Sequence, residues 1–406
     1  MSRESSRAAV AALLAMAAEL DDSALLGVYQ PTGPVFASAR GSRLIAEDGR
    51  QYLDFTAGIG VNALGYGDDG VAEAFAVGVA AGLLHISNLY RTRPAAVLAS
   101  ELVRLSFADK VFFCNSGAEA NEGAFKFARK WARQAGGPAK HEIVALRNSF
   151  HGRLFGSLAA TDRPAYQEPF QPLMPGVRFV AIGDEAGARE AISAERTAAI
   201  IAEPVQGEGG IHPLPAEFAQ LLRKLADEAG ALLIFDEIQC GLGRTGRLFA
   251  YEGLGVIPDL LTLAKPLAGG LPMGAVLLTE RVAGAMKPGD HGTTFGGGPL
   301  TARVALEVLG RVSAPEFLAE VRWKADRMAR ALEALLARSS VKAVRGLGLM
   351  WGLELHTEAG PVVADALEQG LLILSAGANV IRLLPPLSIE PADLDQGLTI
   401  LAEVLP

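Results

Sequence analysis

Between Leu232 and Lys265 two short, unbroken apolar runs each end in a charge. Residues 232–235 read LLIF and run into Asp236, and residues 260–264 read LLTLA and run into Lys265. Runs this short and this continuous, without polar alternation, suit strands covered on both faces, which is the setting of a parallel sheet. VFFCN, EIVAL, AAIIAEPV and AVLLTE are of the same kind. Helical stretches separate them, among them AEANEGAFKFARKWARQ, with Ala120, Ala124, Phe127 and Trp131 on one face, and EFAQLLRKLADEAG. The pattern predicts an α/β fold with a mainly parallel sheet. Ligands on such sheets gather at the carboxyl ends of the strands, and Asn115, Asp236 and Lys265 all fall there.

At 406 residues the chain is too long for one compact core. The reading is an N-terminal segment, 1–60, joined to a small domain, a large domain over 61–298, and a small α+β domain over 299–406. Residues 26–56 read as short β structure, with a hairpin turn at Asp48-Gly49. An Ala-rich helix is expected over Val71–Ala81, then a helix after residue 300, another over 315–338 and one over 362–369 between strands. The start, MSRESSRAAVAALLAMAAELDD, reads as an N-terminal helix, and its basic residues before an apolar run also suit a targeting segment.

Charge and cysteine content exclude some functions. A net charge of −8 argues against nucleic acid as a standing partner. Two cysteines, Cys114 and Cys240, are too few for a disulfide framework, so a reducing, cytoplasmic compartment is expected. The six histidines form no ligand-spaced group, and no metal site is expected. No stretch of about 18 uncharged apolar residues suggests a membrane span.

A carboxylate and an amine at neighbouring strand ends, 29 residues apart, form the layout that a pyridoxal phosphate enzyme needs. The lysine can hold the cofactor as an imine, and the aspartate can keep the pyridine nitrogen protonated. Other motifs are ambiguous alone. Ser116-Gly117-Ala118, between a strand and a helix, suits either a phosphate cradle or a plain N-cap. Phe150 in FHGR could stack on a ring or simply pack, and Arg153 could fork a carboxylate or sit in solvent. EPVQGEGG offers Glu208 over a pocket, or a Gly-rich turn. GDHGTTFGGGPL offers Thr293 and Thr294. Arg382 lies in an otherwise apolar strand, where a charge requires a partner: a substrate carboxylate or a structural ion pair.

Taken together, NSGAEANE, FHGR, EPVQGEGG, IFDEIQCGLGRTG, LTLAKP, GDHGTTFGG and RGLGLMWGLEL resemble class III aminotransferases of pyridoxal phosphate fold type I. The resemblance runs from about residue 26 to the C-terminus. It implies a mainly parallel seven-stranded sheet in the large domain and pyridoxal 5'-phosphate as cofactor. It also implies roles. Lys265 would carry the cofactor and move the proton, and Asp236 would pair with the ring nitrogen. Gln239 would bond the phenolic oxygen. Ser116, Gly117 and Ala118 would hold the phosphate, and Phe150 would stack on the ring. Thr294 would reach the cofactor of a second subunit, with Thr293 near the substrate, which makes a homodimer with shared sites. Arg153 and Arg382 would bind substrate carboxylates. Glu208 would neutralise Arg382 when an amine end enters.

Within the family, VIRLLPPL and the GDHGTTFGG loop most resemble the branch that acts on N-acetylornithine with 2-oxoglutarate, in arginine biosynthesis. Ornithine, succinylornithine, 4-aminobutyrate or a blocked lysine are rival donors, and aminomutase chemistry or a binding-only module are rival functions. Three departures bear on substrate detail: Pro266 directly after the lysine, Gly298 in GGGPL, and Tyr66 where histidine is frequent.

Overall fold

The computed structural model describes residues 24–31 and 33–406. The expected N-terminal helix lies outside these residues. Residues 24–31 and 33–35 contain turns and bends but no strand, so β structure begins later than the sequence suggested.

From residue 36 the chain forms a small antiparallel ladder of β1 (Phe36–Arg40), β2 (Arg43–Ala46) and β3 (Gln51–Asp54). The turn between β2 and β3 carries Gly49 at φ 85°, and Asp48 Oδ1 accepts from Arg50 N at 2.9 Å. That is the Asp-Gly chemistry a tight hairpin requires. Helices α1 (Asp69–Ala80) and α2 (Arg93–Leu105) follow. Asp68 caps α1 by accepting from Val71 N at 3.0 Å, which starts the helix two residues before the expected boundary.

The central sheet is built from β4 (Lys110–Cys114), β5 (Glu142–Leu146), β6 (Val177–Val180), β7 (Thr197–Ala202), β8 (Leu232–Asp236), β9 (Leu260–Leu263) and β10 (Gly274–Leu278). Their spatial order is β4-β10-β9-β8-β7-β5-β6. Only β10 runs against its neighbours, so the sheet is mainly parallel, as the apolar runs implied, and it has the seven strands that the resemblance implied.

Both faces of this sheet are core. Leu233 and Phe235 of β8 join one apolar cluster, and Leu232 and Ile234 join the other. Strand parity then places Asp236 on the Leu232–Ile234 face. This face is covered by α3 (Gly117–Gly136), whose Ala120, Ala124, Phe127 and Ala128 lie in the same cluster. Thr262, two residues after Leu260, faces the same way. Helix α4 (Ala216–Glu228) covers the opposite face through Phe218, Leu222 and Leu225.

Beyond the sheet come α5 (Pro299–Val312) and α6 (Pro315–Ala334). A second antiparallel sheet holds β11 (Val341–Leu347), β12 (Met350–Leu355) and β13 (Val380–Leu383), with Leu374–Ser375 at its edge. Helices α7 (Gly360–Glu368) and α8 (Pro391–Val404) pack with it around Leu353, Leu355, Ile381, Leu383, Leu394 and Leu401. Leu371–Leu372 pairs in parallel with β3, and Arg43 bonds Asp393, which ties the first ladder to the last third of the chain. Among the described residues no helix is long and apolar enough to cross a membrane.

Candidate active site

β8 and β9 are adjacent, with Asp236 in register with Thr262. Lys265 follows three residues later, at the start of a one-turn helix that buries Pro266. The two charges read from the sequence therefore emerge side by side. They line a cavity of about 280 Å³, together with Gly117, Phe150, Arg153, Glu208 and Gln239. Ala118 lines it as well, whereas Ser116, Thr293, Thr294 and Arg382 are not among its walls.

The phosphate turn has the expected build. Ser116 caps α3, its Oγ accepting from Glu119 N at 3.2 Å. The N–H groups of Gly117 and Ala118 precede the first intrahelical bond, so they remain available to an anion. Gly117 is needed for space, because a Cβ there would lie 2.8 Å from the Ile238 side chain. Gly152 permits the close approach of the FHGR loop. Its φ is +133°, and a Cβ would meet Ala118 Cβ at 2.7 Å.

Asp236 is 4% exposed and is held by three donors. His151 Nδ1 lies 2.7 Å and Asn121 Nδ2 donates at 2.8 Å to Oδ2, and Ile238 N donates to Oδ1 at 3.1 Å. A carboxylate only accepts, so the proton of this tautomer sits on His151 Nδ1. Asn121 is fixed in turn. It donates to His151 O at 2.8 Å, and its Oδ1 accepts from Thr262 Oγ1 at 2.9 Å. Glu203 accepts from Phe150 N at 3.0 Å and Gly207 N at 3.1 Å, and burial pushes its carboxyl upward. His151, Asn121, Thr262 and Glu203 escaped the sequence reading. A signal existed for Asn121: it shares the buried stripe of Ala124, Phe125, Ala128 and Ala132, where a polar residue requires partners.

Burial lowers the pKa of the Lys265 ammonium, with Glu208 opposing and Arg382 assisting. Arg382, on β13 and 3% exposed, forms an ion pair with Glu208 through Nη1 and Oε1. Burial alone would raise the Glu208 carboxyl, but Arg382, together with Lys265 and Gln239, outweighs it and holds that carboxyl below its usual range. Arg153 is exposed at the cavity mouth, its guanidinium 3.6 Å from the Tyr166 ring centre and 5.8 Å from that of Phe150.

The residues present fit pyridoxal phosphate. They offer free helix N-terminal amides for a phosphate and a half-buried aromatic, Phe150, for a ring. They also offer a fixed carboxylate and an amine. Two buried atoms in the cavity wall, Gln239 Oε1 and His151 Nε2, have no hydrogen-bond partner.

Thr293 and Thr294 line a separate cavity of about 740 Å³ with Phe112, Phe113, His85 and His291. Asn115 Nδ2 donates to Thr293 Oγ1 at 2.8 Å, and Asn88 Nδ2 to Thr293 O at 2.8 Å, so this loop leans on the back of the phosphate turn. Tyr66 donates to Asp54 Oδ2 at 2.9 Å, and Gly298 is the cap of α5.

Residues 29–405 match the model of the family described as aminotransferase class-III. An acetylornithine aminotransferase, mitochondrial, from Alnus glutinosa is 49% identical over 387 residues, 94% of this chain and 86% of that protein. An acetylornithine aminotransferase from Methanocaldococcus jannaschii is 46% identical over 390 residues, 95% of this chain and 97% of that protein. The crystal structure of N-acetylornithine aminotransferase from Stenotrophomonas maltophilia superposes with a TM-score of 0.81 at 37% identity, covering 93% of this chain and 96% of that one.

Proposed function

The chain belongs to the class III aminotransferases, and from that membership we propose that it transfers the terminal amino group of N-acetyl-L-ornithine to 2-oxoglutarate, a step of arginine biosynthesis. It is a pyridoxal 5'-phosphate-dependent aminotransferase of fold type I. The observation that carries the ω-amine reading is the pair of buried Arg382 and partly exposed Glu208 beside Lys265, and the choice of N-acetylornithine is supported by the relatives of that activity.

When bound, the cofactor supplies an aldehyde carbon for the amine and an electron-withdrawing ring for the electron pair released at the reacting carbon. The Gly117 and Ala118 amides would hold its phosphate, with Ser116 beside them. Phe150 would cover the ring, Asp236 would hold the proton on the ring nitrogen, and Gln239 would bond the phenolic oxygen. Lys265 Nζ would take the proton from the carbon bearing the amine and deliver it to the carbon that the cofactor's aldehyde supplies, and would make the reverse shift onto the carbon of the acceptor in the second half-reaction. Thr294 serves the phosphate in a second subunit of a homodimer, with Thr293 near the substrate. A reducing cytoplasm belongs to the same reading, supported by Cys114 and Cys240, both buried and unpaired.

The two arginines divide the substrates by where their carboxylates lie. Glutamate carries one carboxylate next to the reacting carbon and one far from it. The near one suits Arg382 and the far one Arg153 at the mouth. N-acetylornithine reacts at its terminal amine, with no carboxylate nearby. Arg382 would then be a buried charge without a partner, which is costly. Glu208 neutralises it in that half-reaction and swings aside for glutamate.

Replacing Glu208 with alanine is therefore expected to act unequally. The half-reaction with N-acetylornithine should slow about tenfold or more relative to that with glutamate. Stopped-flow absorbance of each half-reaction measures the ratio, and an unchanged ratio would refute the gate. The same assay against ornithine, succinylornithine, 4-aminobutyrate and acetyl-lysine tests the donor. A rate for any of these above that for N-acetylornithine would reassign it.

A further inference from the structure

The two arginines are held by different means. Arg382 is closed by a carboxylate. Arg153 is held by a ring, stacked at 3.6 Å on Tyr166. Among the described residues, no carboxylate or carbonyl accepts a hydrogen bond from Arg153. A guanidinium fixed through its face keeps its N–H donors unoccupied at the edge, where a carboxylate binds in a fork.

Tyr166 belongs to the short turn Arg163–Gln167, and that turn is firmly anchored. Gln167 Nε2 donates to the carbonyl oxygens of Leu158 at 3.1 Å, Ala159 at 3.2 Å and Thr161 at 2.8 Å. At its other end Arg163 Nη2 donates to Glu208 O at 2.8 Å. One turn thus fixes both the ring under the open arginine and the backbone of the residue that closes the other.

We propose that Tyr166 is a positioning residue for substrate recognition. Its ring holds the Arg153 guanidinium at the cavity mouth as a standing site for the carboxylate that lies far from the reacting carbon. The ligand class is ω-amino acids and dicarboxylates. The inference rests on the reading that Arg153 binds that carboxylate, and it adds the device that keeps the arginine ready.

The test uses the holoenzyme as wild type, Tyr166→Leu, Tyr166→Phe and Arg153→Ala. Calorimetry gives the Kd of glutarate, an unreactive dicarboxylate, and steady-state assays give KM and kcat for N-acetylornithine and for pentylamine, which has no carboxylate. Tyr166→Leu should weaken glutarate about tenfold and raise KM for N-acetylornithine similarly, with kcat and the pentylamine reaction unchanged. Tyr166→Phe keeps the ring and should behave as wild type. If Arg153→Ala weakens glutarate but Tyr166→Leu does not, the role of Tyr166 is overturned and that of Arg153 stands. If Arg153→Ala also has no effect, the carboxylate reading itself fails. If Tyr166→Leu slows pentylamine equally, the residue is merely structural and the proposal falls.

Discussion

Replacing Lys265 with alanine should lower kcat by about 10⁴-fold or more and remove the borohydride-sensitive visible absorbance of the purified protein. The reason is local. Among the described residues Lys265 is the one lysine in the wall of the cavity, so no neighbouring amine there can take over the covalent hold or the proton. Its protonation state is also tuned. Burial and Arg382 favour the neutral amine, the form that can attack a carbonyl or accept a proton, while Glu208 opposes them. Its strand fixes its direction. Leu260, Leu261 and Leu263 are fully buried, and Pro266 stiffens the turn behind it, so Nζ has little freedom to wander. The substitution shortens a side chain at a cavity wall rather than in a packed core, and far-UV circular dichroism should be unchanged. Single-turnover absorbance with N-acetylornithine measures the loss. Retention of more than a hundredth of the wild-type rate would remove Lys265 from its role.

Much of this site was legible in the sequence because it sits where periodicity ends. An apolar strand that stops at a charge marks a sheet edge and the residue delivered there, and Asp236 and Lys265 were read in that way. Arg382 was legible for a related reason. A charge inside an apolar strand requires a partner, and Glu208, 174 residues away, is that partner in the folded chain. The residues that escaped have ordinary local settings. His151 was visible in FHGR but had no reason to face a carboxylate until α3 and β8 were placed together. Glu203 lies at the end of a strand, like many solvated glutamates, and only tertiary packing shows that it accepts from Phe150 N and Gly207 N. The late start of β structure is a propensity error: the apolar residues of 26–35 are interrupted by Gly27, Pro31, Gly33 and Pro34, which disfavour a strand.

Replacing Asp236 with asparagine should lower kcat/KM about 10³-fold, although the two side chains have nearly the same shape. The argument lies in what surrounds the carboxylate. Every group within hydrogen-bond distance is a donor: His151 Nδ1, Asn121 Nδ2 and Ile238 N. A carboxylate accepts from all three and still bears a full negative charge toward the ring nitrogen. An amide has one accepting oxygen, so its NH₂ group must stand in place of either Oδ2 or Oδ1. On the Oδ2 side it leaves His151 Nδ1 and Asn121 Nδ2 without an acceptor, and on the Oδ1 side it leaves Ile238 N without one, at about 1–3 kcal/mol for each donor, so melting temperature falls in both cases and further in the first. In either case the electron-withdrawing ring loses its counter-charge. Neither arrangement restores the charge, so the rate loss is expected in both, while thermal stability distinguishes them. A cyclic measurement separates the network from the charge. Asn121→Ala removes one donor and leaves the carboxylate, and should cost about tenfold, well short of Asp236→Asn. Equal losses in the two variants would mean that orientation, rather than charge, is what Asp236 supplies.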